Sequence, residues 1–143
     1  SLNTSHPTQR LHSQLDNTPL RDKFAIADRE AILIHPDDAK ARGIQDGALV
    51  RAFNDRGQIL VGALLSKDIR PGVVRICEGA WFDPAKPGEV GAICKNGNVN
   101  CLTFDEGSSS LAQGNCGHMA QLQIEKYSGP ELVNTAHEVP AHA

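Results

Sequence analysis

The sequence predicts a mainly β domain with short helices, its strands closed into a barrel. Three observations carry this. Apolar runs are of strand length, and glycine or proline interrupts the chain between them. Two such runs flank Asn54-Asp55-Arg56-Gly57, the pattern of a β-hairpin with a polar turn. A further run, Met119-Ala120-Gln121-Leu122-Gln123-Ile124-Glu125, alternates apolar with polar, as a half-buried strand does. Several short strands in one small domain must hide their edges, and closure does so.

Taken in order, the chain first presents Thr4-Ser5-His6-Pro7-Thr8-Gln9-Arg10-Leu11-His12-Ser13-Gln14. This stretch is dense in hydrogen-bonding side chains and holds two imidazoles. It reads as a loop that grips a large polar ligand. Ala31-Ile32-Leu33-Ile34 is a buried-strand candidate. Residues 36–43 read as one or two turns of helix: Pro36 suits the first helical position, Asp37 and Asp38 suit the positive N-terminal end, and Gly43 suits the C-terminal cap. Ile44-Gln45-Asp46-Gly47 is a turn. The hairpin strands, 49–53 and 58–65, follow. Asp68-Ile69-Arg70-Pro71-Gly72 turns the chain into a strand at 73–77. Residues 83–98 are rich in Gly, Pro, Lys and Asn and read as a long loop of the functional kind. Residues 128–143 carry Pro130 and Pro140 and little periodicity, and are expected to be a peripheral or frayed tail.

Composition sets outer bounds. The 143 residues suffice for a single domain, 1–143, with its own core. Hydrophobic residues at 40% and charged residues at 22% are ordinary for a globular protein. A net charge of -3 argues against a broad electrostatic grip on nucleic acid. No apolar run approaches the roughly 20 residues of a membrane helix, so membrane insertion is not expected either. The chain opens without a methionine or a basic-then-apolar leader, and is expected to be part of a longer protein. Cys77, Cys94, Cys101 and Cys116 form no C-x-x-C pair; they read as small buried thiols, with disulfides left open.

Several chemistries lack their motif. There is no Gly-x-Ser-x-Gly elbow, no P-loop and no Gly-x-Gly-x-x-Gly fingerprint. A metal site could draw on His6, His12, His35 and His118, but His6 and His12 are six apart, which fits no helical ligand pair. Binding groups are easier to find. Arg10 with the Ser13 hydroxyl could meet phosphate oxygens, because a guanidinium offers paired donors. Asn98, Asn100 and Gln113 carry amides, which can read the edge of a purine or pterin ring. Trp81 reads as a packing anchor at a strand end.

Seven ordered strings then resemble one family. They are Arg10-Leu11-His12-Ser13-Gln14-Leu15; His35-Pro36-Asp37-Asp38-Ala39-Lys40-Ala41-Arg42-Gly43-Ile44; Phe53-Asn54-Asp55-Arg56-Gly57-Gln58; Ile69-Arg70-Pro71-Gly72-Val73-Val74; Glu78-Gly79-Ala80-Trp81-Phe82-Asp83-Pro84; Asn98-Val99-Asn100-Cys101-Leu102-Thr103; and Ser110-Leu111-Ala112-Gln113-Gly114. Over residues 4–127 the chain resembles the C-terminal molybdopterin-dinucleotide-binding domain of the dimethyl sulfoxide reductase family, nearest its trimethylamine-N-oxide reductase branch.

The resemblance implies a six-stranded double-psi β-barrel that caps a bis(molybdopterin guanine dinucleotide) molybdenum cofactor. It implies cofactor contacts from Ser5, His6, Arg10, His12, Ser13 and Gln14, with Asn98, Asn100, Gln113 and His118 beside them. It implies no catalytic residue and no metal ligand in this chain. The isolated chain is accordingly expected to be inactive. Its partners would be the other domains of the same reductase and an electron-donor cytochrome, in the periplasm. The rival expectation is a stand-alone double-psi β-barrel adaptor that binds no cofactor.

Overall fold

The computed structural model describes residues 1–114 and 120–139 and holds six strands: β1 (Leu2–Ser5), β2 (Ala31–Ile34), β3 (Leu49–Phe53), β4 (Gln58–Leu65), β5 (Val74–Cys77) and β6 (Gln123–Lys126). One short helix, α1 (Pro36–Lys40), and 3₁₀ turns at Arg21–Lys23 and Val99–Leu102 complete the regular structure. The local chemistry of each element accounts for it. In β3, Val50 and Ala52 are buried while Leu49, Arg51 and Phe53 are only partly so, the two-residue period of a strand covered on one face. In β4, Ile59 to Ala63 are all buried, so this strand is covered on both faces and reads as one apolar run. The helix α1 starts with His35, whose Nδ1 accepts the Asp37 N–H at 3.2 Å, and Pro36 at its first position.

The strands form one mixed sheet in the order β1-β5-β2-β4-β3-β6. β1 runs parallel to β5, and β2 parallel to β4; β5 and β2 are antiparallel between them. The β3–β4 hairpin pairs Phe53 with Gln58 across the predicted turn, and β3 pairs with β6 on its other side. Ile32, Ile34, Val50, Ala52, Ile59, Val61, Ala63 and Ile76, drawn from the four inner strands β2 to β5, are fully buried in one cluster. Each such aliphatic side chain contributes about 1.5–3 kcal/mol on burial, Ala less. The sheet is not closed by strand pairing. Its two edges are instead bridged where Leu2 N–H donates to the Ala120 carbonyl at 3.0 Å, just ahead of β6.

Three expectations change. The opening stretch is not loop from Thr4 onward: Leu2–Ser5 is a strand, because Leu2 is buried and β5 offers it a free edge. The last strand begins at Gln123; Met119 lies outside the described residues. The tail is not frayed through residue 138. Leu132 accepts from Arg29 Nη2, Asn134 Nδ2 donates to the Asp28 carbonyl, and Thr135 N–H donates to Asp83 Oδ2 at 2.7 Å. The 83–98 loop is pinned as well, since Cys94 exchanges backbone bonds with Gln58 and Leu60 at 3.0 and 2.9 Å.

Candidate functional site

The site grows from the place where residues 5–16 cross the stretch after β5. Arg10 is the pin. Its side chain is 1% exposed and directed inward. Nε donates to the His12 carbonyl at 3.1 Å and Nη2 to the Glu78 carbonyl at 2.5 Å. Nη1 lies 3.2 Å from Asp16 Oδ1, and Nη2 lies 2.8 Å from Glu30 Oε2. Burial pushes the Glu30 carboxyl above the usual carboxylate range, and the Arg10 guanidinium opposes that push. Arg10 thus serves the protein's own acceptors here, and the phosphate contact expected of it is corrected: its fork is occupied in holding the loop.

Gly79 makes the crossing tight. Its φ is +96°, and a Cβ there would sit 1.9 Å from the His12 carbonyl oxygen. Only glycine lets the two backbones approach this closely. Beside it, one oxygen of Glu78 gathers two imidazoles. His6 Nδ1 is 2.7 Å and His12 Nδ1 2.8 Å from Glu78 Oε1, and the two rings meet edge-to-face with centroids 4.9 Å apart. The six-residue separation that fits no helical pair is thereby closed by a loop. Both imidazoles remain mostly exposed, at 69% and 62%.

A cleft of about 250 Å³ opens next to this pair, lined among others by Ser5, His6, Thr8, Gln9, Glu30 and Arg75. Ser5 stands at the end of β1, its Oγ 3.6 Å from Cys77 Sγ. Ser13 offers its carbonyl to the Trp81 indole N–H at 2.8 Å, and Gln14 N–H closes a turn onto Leu11. Asn98 and Asn100 lie apart from this cleft: Asn98 Oδ1 accepts the Asn100 N–H at 3.0 Å and caps the 3₁₀ turn. Gln113 bonds the Ser109 carbonyl within its own loop. His118 lies outside the described residues, as does Cys116.

Behind the cleft sits a buried polar hub that sequence reasoning missed. Asn96, 1% exposed, donates to the Trp81 carbonyl at 3.0 Å and accepts from Arg21 Nη2 at 3.1 Å and Asn134 Nδ2 at 2.8 Å. Asp16, also 1% exposed, accepts the Trp81 N–H at 3.0 Å and lies 3.0 Å from His137 Nε2. Trp81 is therefore anchored at both its N–H groups, with its ring 5.3 Å from that of His137. The available signal was composition: polar residues of short reach beside arginines in a loop with too little apolar content to be core. Cys94 belongs to the same wall. Its thiol is lowered to about 6, first by a hydrogen bond with the Cys101 thiol, with backbone N–H groups of Asp83, Asn98 and Asn96 acting likewise and burial opposing; Cys101 is pushed up in return.

Comparison with known proteins supplies a context for this geometry. The family model of the Molydopterin dinucleotide binding domain matches residues 1–120. The chain is 52% identical, over 97% of its length, to the dimethyl sulfoxide/trimethylamine N-oxide reductase of Cereibacter sphaeroides. It is 50% identical over 98% of its length to the trimethylamine-N-oxide reductase of Salmonella typhi, and 53% identical over 90% to trimethylamine-N-oxide reductase 1 of Escherichia coli K12. The chain spans only 17%, 17% and 15% of these relatives. Among solved structures, acetylene hydratase from Pelobacter acetylenicus superposes with a TM-score of 0.67 over 88% of this chain and 18% of its own, at 19% identity, a likeness of fold.

Proposed function

The chain belongs to the Molydopterin dinucleotide binding domain family, and from that premise we propose that it is the cofactor-holding domain of a longer molybdenum oxidoreductase. The reaction we assign to that enzyme is reduction of trimethylamine N-oxide or a related N-oxide or sulfoxide. The observation that carries this reading is identity near one half, along almost the whole chain, to reductases of that description.

The residues present fit the organic part of bis(molybdopterin guanine dinucleotide). Pterin and guanine edges need both donors and acceptors, and a pyrophosphate needs donors. The cleft wall offers both: the Ser5 and Thr8 hydroxyls, the Gln9 amide and the His6 imidazole, with Arg75 adding a cation. When bound, the cofactor supplies the oxygen-atom and electron chemistry through its metal. This chain's part is to hold and orient. His6 and His12 meet the ligand while Arg10 and Gly79 keep their loop in place. Ser13, Gln14, Asn98, Asn100, Gln113 and His118 complete the proposed contact set. The other domains of the enzyme, a cytochrome donor, a periplasmic location in anaerobic respiration and the double-psi form of the barrel are carried with the reading.

Full-length protein, produced with molybdate, should contain molybdenum, release guanine nucleotide on acid hydrolysis and reduce trimethylamine N-oxide with a reduced viologen. A folded full-length preparation lacking both metal and nucleotide overturns the proposal.

A further inference from the structure

We propose that His6, His12 and Glu78 form a binding site for one divalent transition-metal ion of the zinc class, filled in the cofactor-free protein and given up when the cofactor enters. The cation site stands on the geometry of this chain; only its exclusion by the cofactor rests on the reading of residues 6 and 12 as cofactor contacts. Three donor atoms, His6 Nδ1, His12 Nδ1 and a Glu78 carboxylate oxygen, lie within 4.8 Å of one another. Both nitrogens approach the same oxygen, at 2.7 and 2.8 Å. Donor atoms around a tetrahedral zinc ion, each about 2.0–2.2 Å from it, stand roughly 3.3 Å apart. Seating an ion therefore asks the imidazoles to move outward by about half an ångström. At 69% and 62% exposure, they have room to do so.

The oxygen itself is a second, independent observation. Glu78 Oε1 is buried and makes no hydrogen bond. A buried acceptor left so is costly, and a cation held between it and the two ring nitrogens satisfies it. Two of the three ligands are also fixed from behind. Arg10 donates through Nε to the His12 carbonyl and through Nη2 to the Glu78 carbonyl, and Gly79 lets the two backbones approach. Ligands held in place beforehand lose less freedom on binding. Two imidazoles with one carboxylate suit zinc and its neighbours and leave a fourth position open, whereas calcium and magnesium ask for six or more oxygens. No helical spacing marks this set, because a loop brings His6 to His12 and Glu78 follows β5. His6 also lines the cleft of about 250 Å³. An ion on His6 and a ligand in that cleft contend for one imidazole.

The test is equilibrium dialysis of Zn²⁺ against cofactor-free full-length protein. The parent should bind one more Zn²⁺ per chain than its His6→Ala/His12→Ala variant, and Glu78→Gln should hold that ion at least about tenfold more weakly. Co²⁺ in place of Zn²⁺ should show, in the difference between parent and double variant, the strong visible bands of a four-coordinate ion. Single His6→Gln and His12→Gln variants, each changing one exposed ring, serve where the double variant is unstable, and each should weaken the same ion by a similar factor. Equal Zn²⁺ stoichiometry and affinity in the parent and the histidine variants overturns the proposal, as does a Co²⁺ difference spectrum without those bands. Cofactor-loaded protein should lack this ion. Zn²⁺ bound at the same three residues in loaded protein would overturn the exclusion, and with it the reading of residues 6 and 12 as cofactor contacts, while the cation site would stand.

Discussion

Arg10 shows how far a residue's type is from its task. In sequence it is a cation among polar neighbours, and a phosphate is its natural partner. In the fold it is buried between Asp16 and Glu30 and bonded to two carbonyls. Removing one member of a buried charge network strands the others, at a cost of about 3–5 kcal/mol. Arg10→Ala should cost that much in chemical denaturation, and a loss below about 1 kcal/mol would mean the network is not load-carrying. Cys94 gives a pH signature. Its folded thiol, at about 6, lies below the ordinary value of 9.0. Between those values the folded state holds a thiolate while the unfolded state holds a thiol, so stability rises with pH across that window and is lost as pH falls through about 6. The stability margin of the parent protein over Cys94→Ala should widen from pH 6 to pH 9; a flat margin would contradict the assignment.

Elements here are short, and their positions depend on side chains that tie one to another. The hairpin turn is the clearest case. Asn54 Nδ2 donates to the Leu102 carbonyl at 2.8 Å and to the Gln121 carbonyl at 3.0 Å, joining the β3–β4 turn to the 3₁₀ turn and to the approach to β6. Arg56 lies over the Phe104 ring at 3.7 Å and covers the same junction. Asn54→Ala removes both amide bonds and leaves two carbonyls short of a donor, so it should destabilise the full-length protein by about 1–3 kcal/mol. Urea denaturation measures this, and an unchanged midpoint would show that water replaces the amide without loss. The hairpin itself, the helix start at Pro36 and the turn at Gly47 were legible because each rests on neighbours in sequence. The strand Leu2–Ser5 was not, because its partner β5 lies some seventy residues away. The anchoring of the tail was not legible for the same reason: Asn134 and Thr135 are held by Asp28, Asn96 and Asp83, none of them near in sequence.

At the scale of the whole molecule, one sheet bends round a single core, and its edges meet through Leu2 and Ala120. No helix among the described residues is long and apolar enough to cross a membrane. The polar hub of Asp16, Trp81 and Asn96 is built from loops, so the cofactor proposed for this domain would bind against a wall whose interior is already hydrogen-bonded. The sequence by itself determined the mainly β class, the hairpin, the helix cap and the family, because each is written in local patterning or in ordered strings of residues. It also showed residues 4–14 to be dense in hydrogen-bonding side chains. Only the tertiary structure decided which of them turn inward to the protein and which stay exposed. That division depends on long-range contacts: Glu78 and Gly79 reach His12 from more than sixty residues away, turn Arg10 inward, and leave His6 and His12 as the exposed pair.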